Sequence, residues 1–192
     1  MLDTHSAAAR RRPDAERNRE KILATAREAF AEGGTEVSMA EVARRAGVGM
    51  ATLYRNFAGR RELLDALYAE EVTAICDAAT TIGGEGVGDD ARARLNTWLR
   101  QLFLFFASKR HIAAELLKQT DSDDPVFTGN RDRVLAAGRP LLEAAQRDGS
   151  VRGELDLAQI LDLVHAVATI DGDAAHVQPI LQAALDGMRA RG

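Results

Sequence analysis

Side chains able to do covalent, acid–base or metal chemistry form no recognisable constellation in this 192-residue chain. The four histidines, His5, His111, His165 and His176, show no metal-ligand spacing. Cys76 is the one cysteine, which rules out an intramolecular disulfide and a cysteine-based zinc cluster and suits a reducing compartment. Asp171-Gly172-Asp173 has the start of a calcium loop, but Gln182 stands where the closing glutamate is needed, so a helix-breaking turn is the better reading. The glycine-rich TTIGGEGVG from Thr80 to Gly88 lacks the Gly-Lys-Ser/Thr ending of a phosphate loop. Catalysis would need a nucleophile with a base, or paired carboxylates in a cleft, and no motif of either kind is recognised. An enzyme is therefore not expected, nor is a metal or any other cofactor.

Another chemistry is concentrated in one stretch, VGMATLYRNF, residues 48–57. Val48, Leu53 and Phe57 are apolar at helical spacing. Gly49, Met50, Ala51 and Thr52 are small or unbranched, and Tyr54, Arg55 and Asn56 are polar. A small leading edge followed by hydroxyl and guanidinium groups suits close approach to base edges and phosphates. Thr52 offers a hydroxyl and a methyl group. Met50 offers apolar contact. Arg55 suits either guanine or phosphate.

These residues need a scaffold that presents them. Apolar residues Ile22, Leu23, Ala26 and Phe30 recur at helical spacing over about 14–33, and Gly33-Gly34 end that helix. Ser38 and Glu41 form a capping-box pattern, flanked by Val37 and Val42 in the positions of a hydrophobic staple. The short helix that follows runs to about Ala46. Gly47 supplies a left-handed turn residue, and a second short helix covers about 49–56. Two short helices joined by a tight turn have the layout of a helix-turn-helix. Val42, Ala43, Val48 and Leu53 are expected inside it, with Phe57 closing it against Ile22 and Phe30.

Totals agree with this layout. The first 60 residues hold eleven Lys and Arg against eight Asp and Glu, whereas the whole chain carries a net −4. A basic N-terminal third on an acidic body suggests a polyanion partner for that third. Residues 1–13, with Arg10-Arg11-Arg12, read as a flexible basic arm. The apolar stretch near the start, Ala7-Ala8-Ala9, is too short for a secretion signal, and no apolar run approaches membrane-spanning length. A cytoplasmic location with no membrane partner is expected.

SMAEVARRAGVGMATLYRNFAGRRELL resembles the signature region of tetracycline-repressor-type (TetR family) transcriptional regulators. The likeness rests on Ala46-Gly47-Val48, Thr52-Leu53-Tyr54, Phe57 and Leu63, and its strong part covers about residues 16–70. Two positions depart from the family pattern: Gly49 stands where Ser is frequent, and Val37 where Thr is common. The resemblance implies a recognition helix whose N-terminal residues enter the major groove. It implies a phosphate contact for Tyr54 and another for Arg60 at the start of the next helix; Arg44 and Arg45, on the first helix of the motif, are further candidates for phosphate by their position. The residues expected at DNA are Ser38, Arg44, Arg45, Gly49, Met50, Ala51, Thr52, Tyr54, Arg55 and Arg60.

From Gly59 a long helix carries Leu63, Leu64, Leu67, Tyr68, Val72, Ile75 and Cys76 along one side. Five further helices are expected, at about 89–109, 110–120, 126–148, 155–170 and 174–190. No convincing strand pattern appears, so the fold class is all-α with about nine helices. The domains expected are a helix-turn-helix unit over 14–60 and a helical effector-binding and dimerisation domain over 61–192. The last two helices are rich in Leu, Ile and Val on more than one stripe, which suits burial against both core and partner. The resemblance likewise implies a homodimer on a palindromic double-stranded DNA operator. It also implies a small-molecule effector held among the central helices. Candidates for that pocket are Cys76, Trp98, Phe105, Phe106, His111 and His165. A helical protein-interaction module without DNA binding is the competing reading.

Overall fold

The computed structural model of the chain describes the backbone of residues 4–84, 90–117 and 125–190, and the side chains of 16–108 and 128–190 within these, apart from 33 and 35. Eight α-helices account for most of it: α1 (Thr4–Gly33), α2 (Met39–Ala46), α3 (Met50–Asn56), α4 (Arg60–Gly83), α5 (Ala91–Leu117), α6 (Pro125–Arg147), α7 (Leu157–Ala168) and α8 (Ala174–Asp186). A single 3-10 turn, Gly34–Glu36, follows α1. Among the described residues the one β feature is an isolated antiparallel bridge between Val151 and Arg189. No described helix is long and apolar enough to cross a membrane.

Three sequence expectations are corrected here. Residues 4–13 continue α1 rather than forming a structureless arm. Their run of alanines and arginines has high helix propensity, which outweighs the polar character that suggested an arm. The two helices expected at 89–109 and 110–120 are one helix, α5. No Gly or Pro interrupts Lys109-Arg110-His111, so nothing breaks the ladder there. The connection expected from Thr80 begins only after Gly83, because Thr80 and Thr81 return their hydroxyls to the Cys76 and Asp77 carbonyls at 3.3 and 3.0 Å. The rest of that expected connection, 85–88, lies outside the described residues.

The chain forms two compact units. The first holds α1 to the part of α4 ending at Tyr68, together with the end of α5 from His111; the second holds Ala69 to Arg110 and the chain from α6 onward. In the first, Ile22, Ala26, Val42, Ala46, Leu53, Phe57 and Leu63 are wholly buried. Burying such side chains is the main stabilising term, on the order of 1.5–3 kcal/mol for each large one. In the second, Trp98 is wholly buried and its indole N–H donates to the Ile75 carbonyl at 3.1 Å. Its ring rests against Gly138, where an added Cβ would lie 2.2 Å from the nearest ring carbon. That close approach brings α5 and α6 together. Gln146 ties the turn after α6 by donating to the carbonyls of Arg152 and Leu155 at 3.1 and 2.8 Å. Asp156 and Gln159 then start α7 with a reciprocal capping box.

Candidate nucleic-acid interface

The interface is built from α2 upward. Ser38 is extended, with φ −86° and ψ 158°, and its hydroxyl oxygen accepts from the Glu41 amide at 3.2 Å. Val37 and Val42 are both buried, as a hydrophobic staple requires. The helix ends on Gly47 at φ 62°, ψ 35°. The Gly47 and Val48 amides donate to the Arg44 and Ala43 carbonyls at 3.1 and 3.0 Å, the paired bonds of a Schellman turn. This turn fixes where α3 begins.

α3 is a two-turn helix with sharply different sides. Leu53 is wholly buried, and Phe57, just past its end, is buried too. Met50, Ala51, Tyr54 and Arg55 are exposed and Thr52 is half-buried. Tyr54 keeps 49 % of its surface accessible, a large exposed aromatic on a helix otherwise anchored to its unit. Gly49 precedes the helix in extended conformation with no side chain to cap it, and its carbonyl accepts from the Thr52 and Leu53 amides at 2.9 and 3.0 Å. Arg55 folds along its own helix, donating to the Ala51 carbonyl and the Thr52 hydroxyl, both at 3.1 Å. The Thr52 oxygen accepts there, which leaves its O–H free to donate outward.

Several expected residues are placed differently from the sequence reading. Val48, expected in the core, is half-buried. Glu41 does not complete a capping box, because its carboxylate is bound to Arg44 and Arg45. Those two guanidiniums pull it away from the Ser38 amide and hold its pKa down at about 2. Arg45 also pairs with Glu32 of α1 at 2.6 Å. Arg60 turns inward, donating to the Val37 carbonyl with its guanidinium 5.1 Å from the centre of the Phe30 ring. It ties α4 to α1 and to the entry of α2 rather than offering an open cation to phosphate. Arg19, which sequence reasoning missed, donates to the Asn56 carbonyl at 2.8 Å and lies over Phe57. Its partner is 37 residues away, so no local pattern announces it.

The matches with known proteins follow the same division of the chain. Residues 22–67 match the profile described as "Bacterial regulatory proteins, tetR family", and residues 90–190 match "Transcriptional regulator SbtR-like, C-terminal domain". This chain belongs to the TetR family. A TetR transcription regulatory protein from Mycobacterium vanbaalenii is 31% identical, with 93% of this chain and 99% of that one covered and a TM-score of 0.69. A TetR transcriptional regulator from Streptomyces coelicolor is 29% identical over 91% of this chain and 99% of its own, with a TM-score of 0.72. Escherichia coli NemR in its reduced form, 19% identical over 91% and 99% of the two chains, shares the fold at a TM-score of 0.66. The TetR fold is thus an N-terminal helix-turn-helix with a helical C-terminal domain, and the family's work is DNA-binding transcriptional regulation.

In this TetR-family chain the expected pocket residues separate. Phe105 and Phe106 meet at 5.3 Å between ring centres, and Phe106 meets the exposed His165 edge-on at 5.0 Å. Trp98 is occupied by packing against Gly138 and the Ile75 carbonyl. Cys76 is half-buried, and burial pushes its thiol pKa up, against the opposing pull of Arg133. The His111 side chain lies outside the described residues. A groove of about 560 Å³ runs along Leu135, Arg139, Leu142 and Gln146 of α6 and the segment 153–158. None of the six expected residues lines it.

Proposed function

We propose that this protein is a homodimeric repressor that reads a palindromic DNA operator with α3 and leaves it when a small-molecule effector binds. The observation that carries the DNA-reading role is the two-sided character of α3. Leu53 is wholly buried while Met50 and Tyr54 are 39% and 49% exposed. Such a helix is anchored on one side and free to enter a major groove on the other. In this reading Met50, Ala51 and Thr52 meet base edges, with the small Gly49 allowing close backbone approach. Tyr54 holds phosphate, Arg55 holds phosphate or guanine, and Ser38 offers its hydroxyl proton at the backbone of the same groove.

Two half-sites about 34 Å apart require two copies of α3, hence a twofold dimer. Leu163, a large apolar side chain left 41% exposed on α7, supports α7 and α8 as its contact. The Phe105, Phe106 and His165 cluster supports an effector with an apolar body and a polar edge. α4 is one continuous helix leading from the helix-turn-helix into the body, so a ligand beside Ile75 or Cys76 has a direct covalent route to the DNA-binding unit. A coupling of roughly 1–3 kcal/mol changes operator affinity 5–150-fold. The cytoplasm, where the chromosome lies, is the site of action in this reading.

Selection of bound duplexes from a random library, using the full chain, tests the reading. An inverted repeat should emerge, with half-sites about one helical turn apart. A helical interaction module without DNA binding would enrich no sequence and give no shifted band. Sedimentation of the free protein tests the dimer. If effector titration never alters operator affinity or thermal stability, the sensing role fails.

A further inference from the structure

The last turn of α2 carries two consecutive arginines, Arg44 and Arg45. Neither carries an open charge. Glu41 stands one turn earlier and grips both. One carboxylate oxygen accepts from Arg44 Nε at 2.8 Å. The other accepts from Arg44 Nη2 at 2.6 Å and from Arg45 Nε at 2.7 Å. The far side of Arg45 is taken by Glu32 at 2.6 Å. These two guanidiniums and two carboxylates carry no net charge between them. The Arg44–carboxylate pairing is a two-bond fork, the geometry that guanidinium would otherwise offer a phosphate.

Besides holding the arginines, the Glu41 carboxylate only adds its charge to the first turn of α2. Ser38 caps α2 through the Glu41 main-chain amide, which any residue except proline supplies. Glu41 is not in the buried core, so glutamine would fit in its place without a cavity. The carboxylate is also ionised throughout any ordinary working pH, so protonation does not release the arginines. Release comes from a competing anion or from salt. A DNA phosphate meeting α2 is such an anion, and it has to displace a matched carboxylate before Arg44 can turn to it. Arg44 has room to turn, with 72% of its side chain exposed.

Building on the DNA-reading role proposed above, we propose that Glu41 is a charge-tuning residue that masks Arg44 from DNA phosphates and so sets how tightly the chain holds DNA of any sequence. The mask weakens sequence-independent grip. It leaves the base-facing edge of α3, which lies on the next helix, untouched.

The test compares the full chain with Glu41→Gln on a short random-sequence duplex, through a salt titration. Freeing one guanidinium for one phosphate adds about 0.9 to the slope of log affinity against log salt, or about eightfold in affinity near 0.1 M salt. Glu41→Gln should bind that much tighter with the steeper slope. Adding Arg44→Ala should remove the gain. Unchanged or weaker binding by a Glu41→Gln protein of wild-type helical content overturns the proposal. Elution from immobilised heparin, a polyanion without bases, separates this from failure of the DNA-reading role. If the wild type binds neither the random duplex nor any selected sequence, that role fails. Later elution of Glu41→Gln, reversed by Arg44→Ala, would still uphold the mask, and identical elution would overturn it.

Discussion

The Arg19 guanidinium lies over the Phe57 ring, 4.3 Å from its centre, while it donates to the Asn56 carbonyl at 2.8 Å. One side chain of α1 thereby holds both the last carbonyl of α3 and the aromatic residue that closes the unit. Arg19→Ala loses a cation–π contact and a charged hydrogen bond at a surface site. The expected cost is about 1–2 kcal/mol in urea unfolding. Because Arg19 orients α3 rather than touching phosphate, DNA affinity should fall with the salt slope unchanged. A slope reduced by about one would make Arg19 a phosphate contact instead.

Trp98 and Gly138 meet at very close range in the second unit. A methyl group at 138 would lie 2.2 Å from Trp98 Cη2 and 2.5 Å from Cζ3, far inside contact distance. Gly138→Ala must push the indole or its helix aside, at a cost of about 1–3 kcal/mol or more. Trp98 is the one tryptophan of the chain, so its emission reports the site directly. A red-shifted spectrum and a lower urea midpoint are expected. An unshifted spectrum with unchanged stability would mean that the helices part without loss.

The helix-turn-helix was legible because its determinants are local. Ser38, Gly47, and the spacing of Leu53 and Phe57 each act within a few residues, and the structure uses all four as their types suggest. Charged side chains were less legible, because their partners are chosen by three-dimensional proximity. Glu41 reads as a capping residue from its spacing to Ser38, yet arginines three and four positions on compete for the same carboxylate and win. Arg60 reads as a free cation until the fold brings the Val37 carbonyl and the Phe30 ring beside it. Trp98 stands among the pocket candidates, although aromatics at helical spacing are more often core, and Gly138 against its ring decides for packing. The continuity of α5 was available in the sequence, since no breaker separates its halves.

Tyr54 carries the clearest prediction for the DNA-facing side of α3. Its ring is half exposed, and removing only its hydroxyl leaves the packing intact. If that hydroxyl donates to a phosphate, Tyr54→Phe should weaken binding to the selected operator and to random duplex by a similar factor. About 1.5–3 kcal/mol is expected for a bond to a charged acceptor, or roughly 13–160-fold in affinity. Unfolding should be unaffected. Equal affinity for both proteins would take Tyr54 out of the interface.

Glu41 also predicts a pH signature in stability. Its folded pKa is about 2 against an ordinary 4.5, because it accepts from Arg44 and Arg45. A carboxyl group with a depressed folded pKa stabilises the fold above its unfolded pKa, and that contribution disappears as pH falls toward the folded value. Wild type should therefore exceed Glu41→Gln in stability by a constant margin at neutral pH. The margin should narrow between about pH 4.5 and about pH 2. The group is open to solvent, so screening keeps the margin small, and added salt should shrink it further. Urea unfolding of both proteins at about pH 7 and about pH 3, at low and high salt, measures it. A margin indifferent to pH and salt would mean that the arginines do not hold this carboxylate in solution, and the masking of Arg44 would lose its basis.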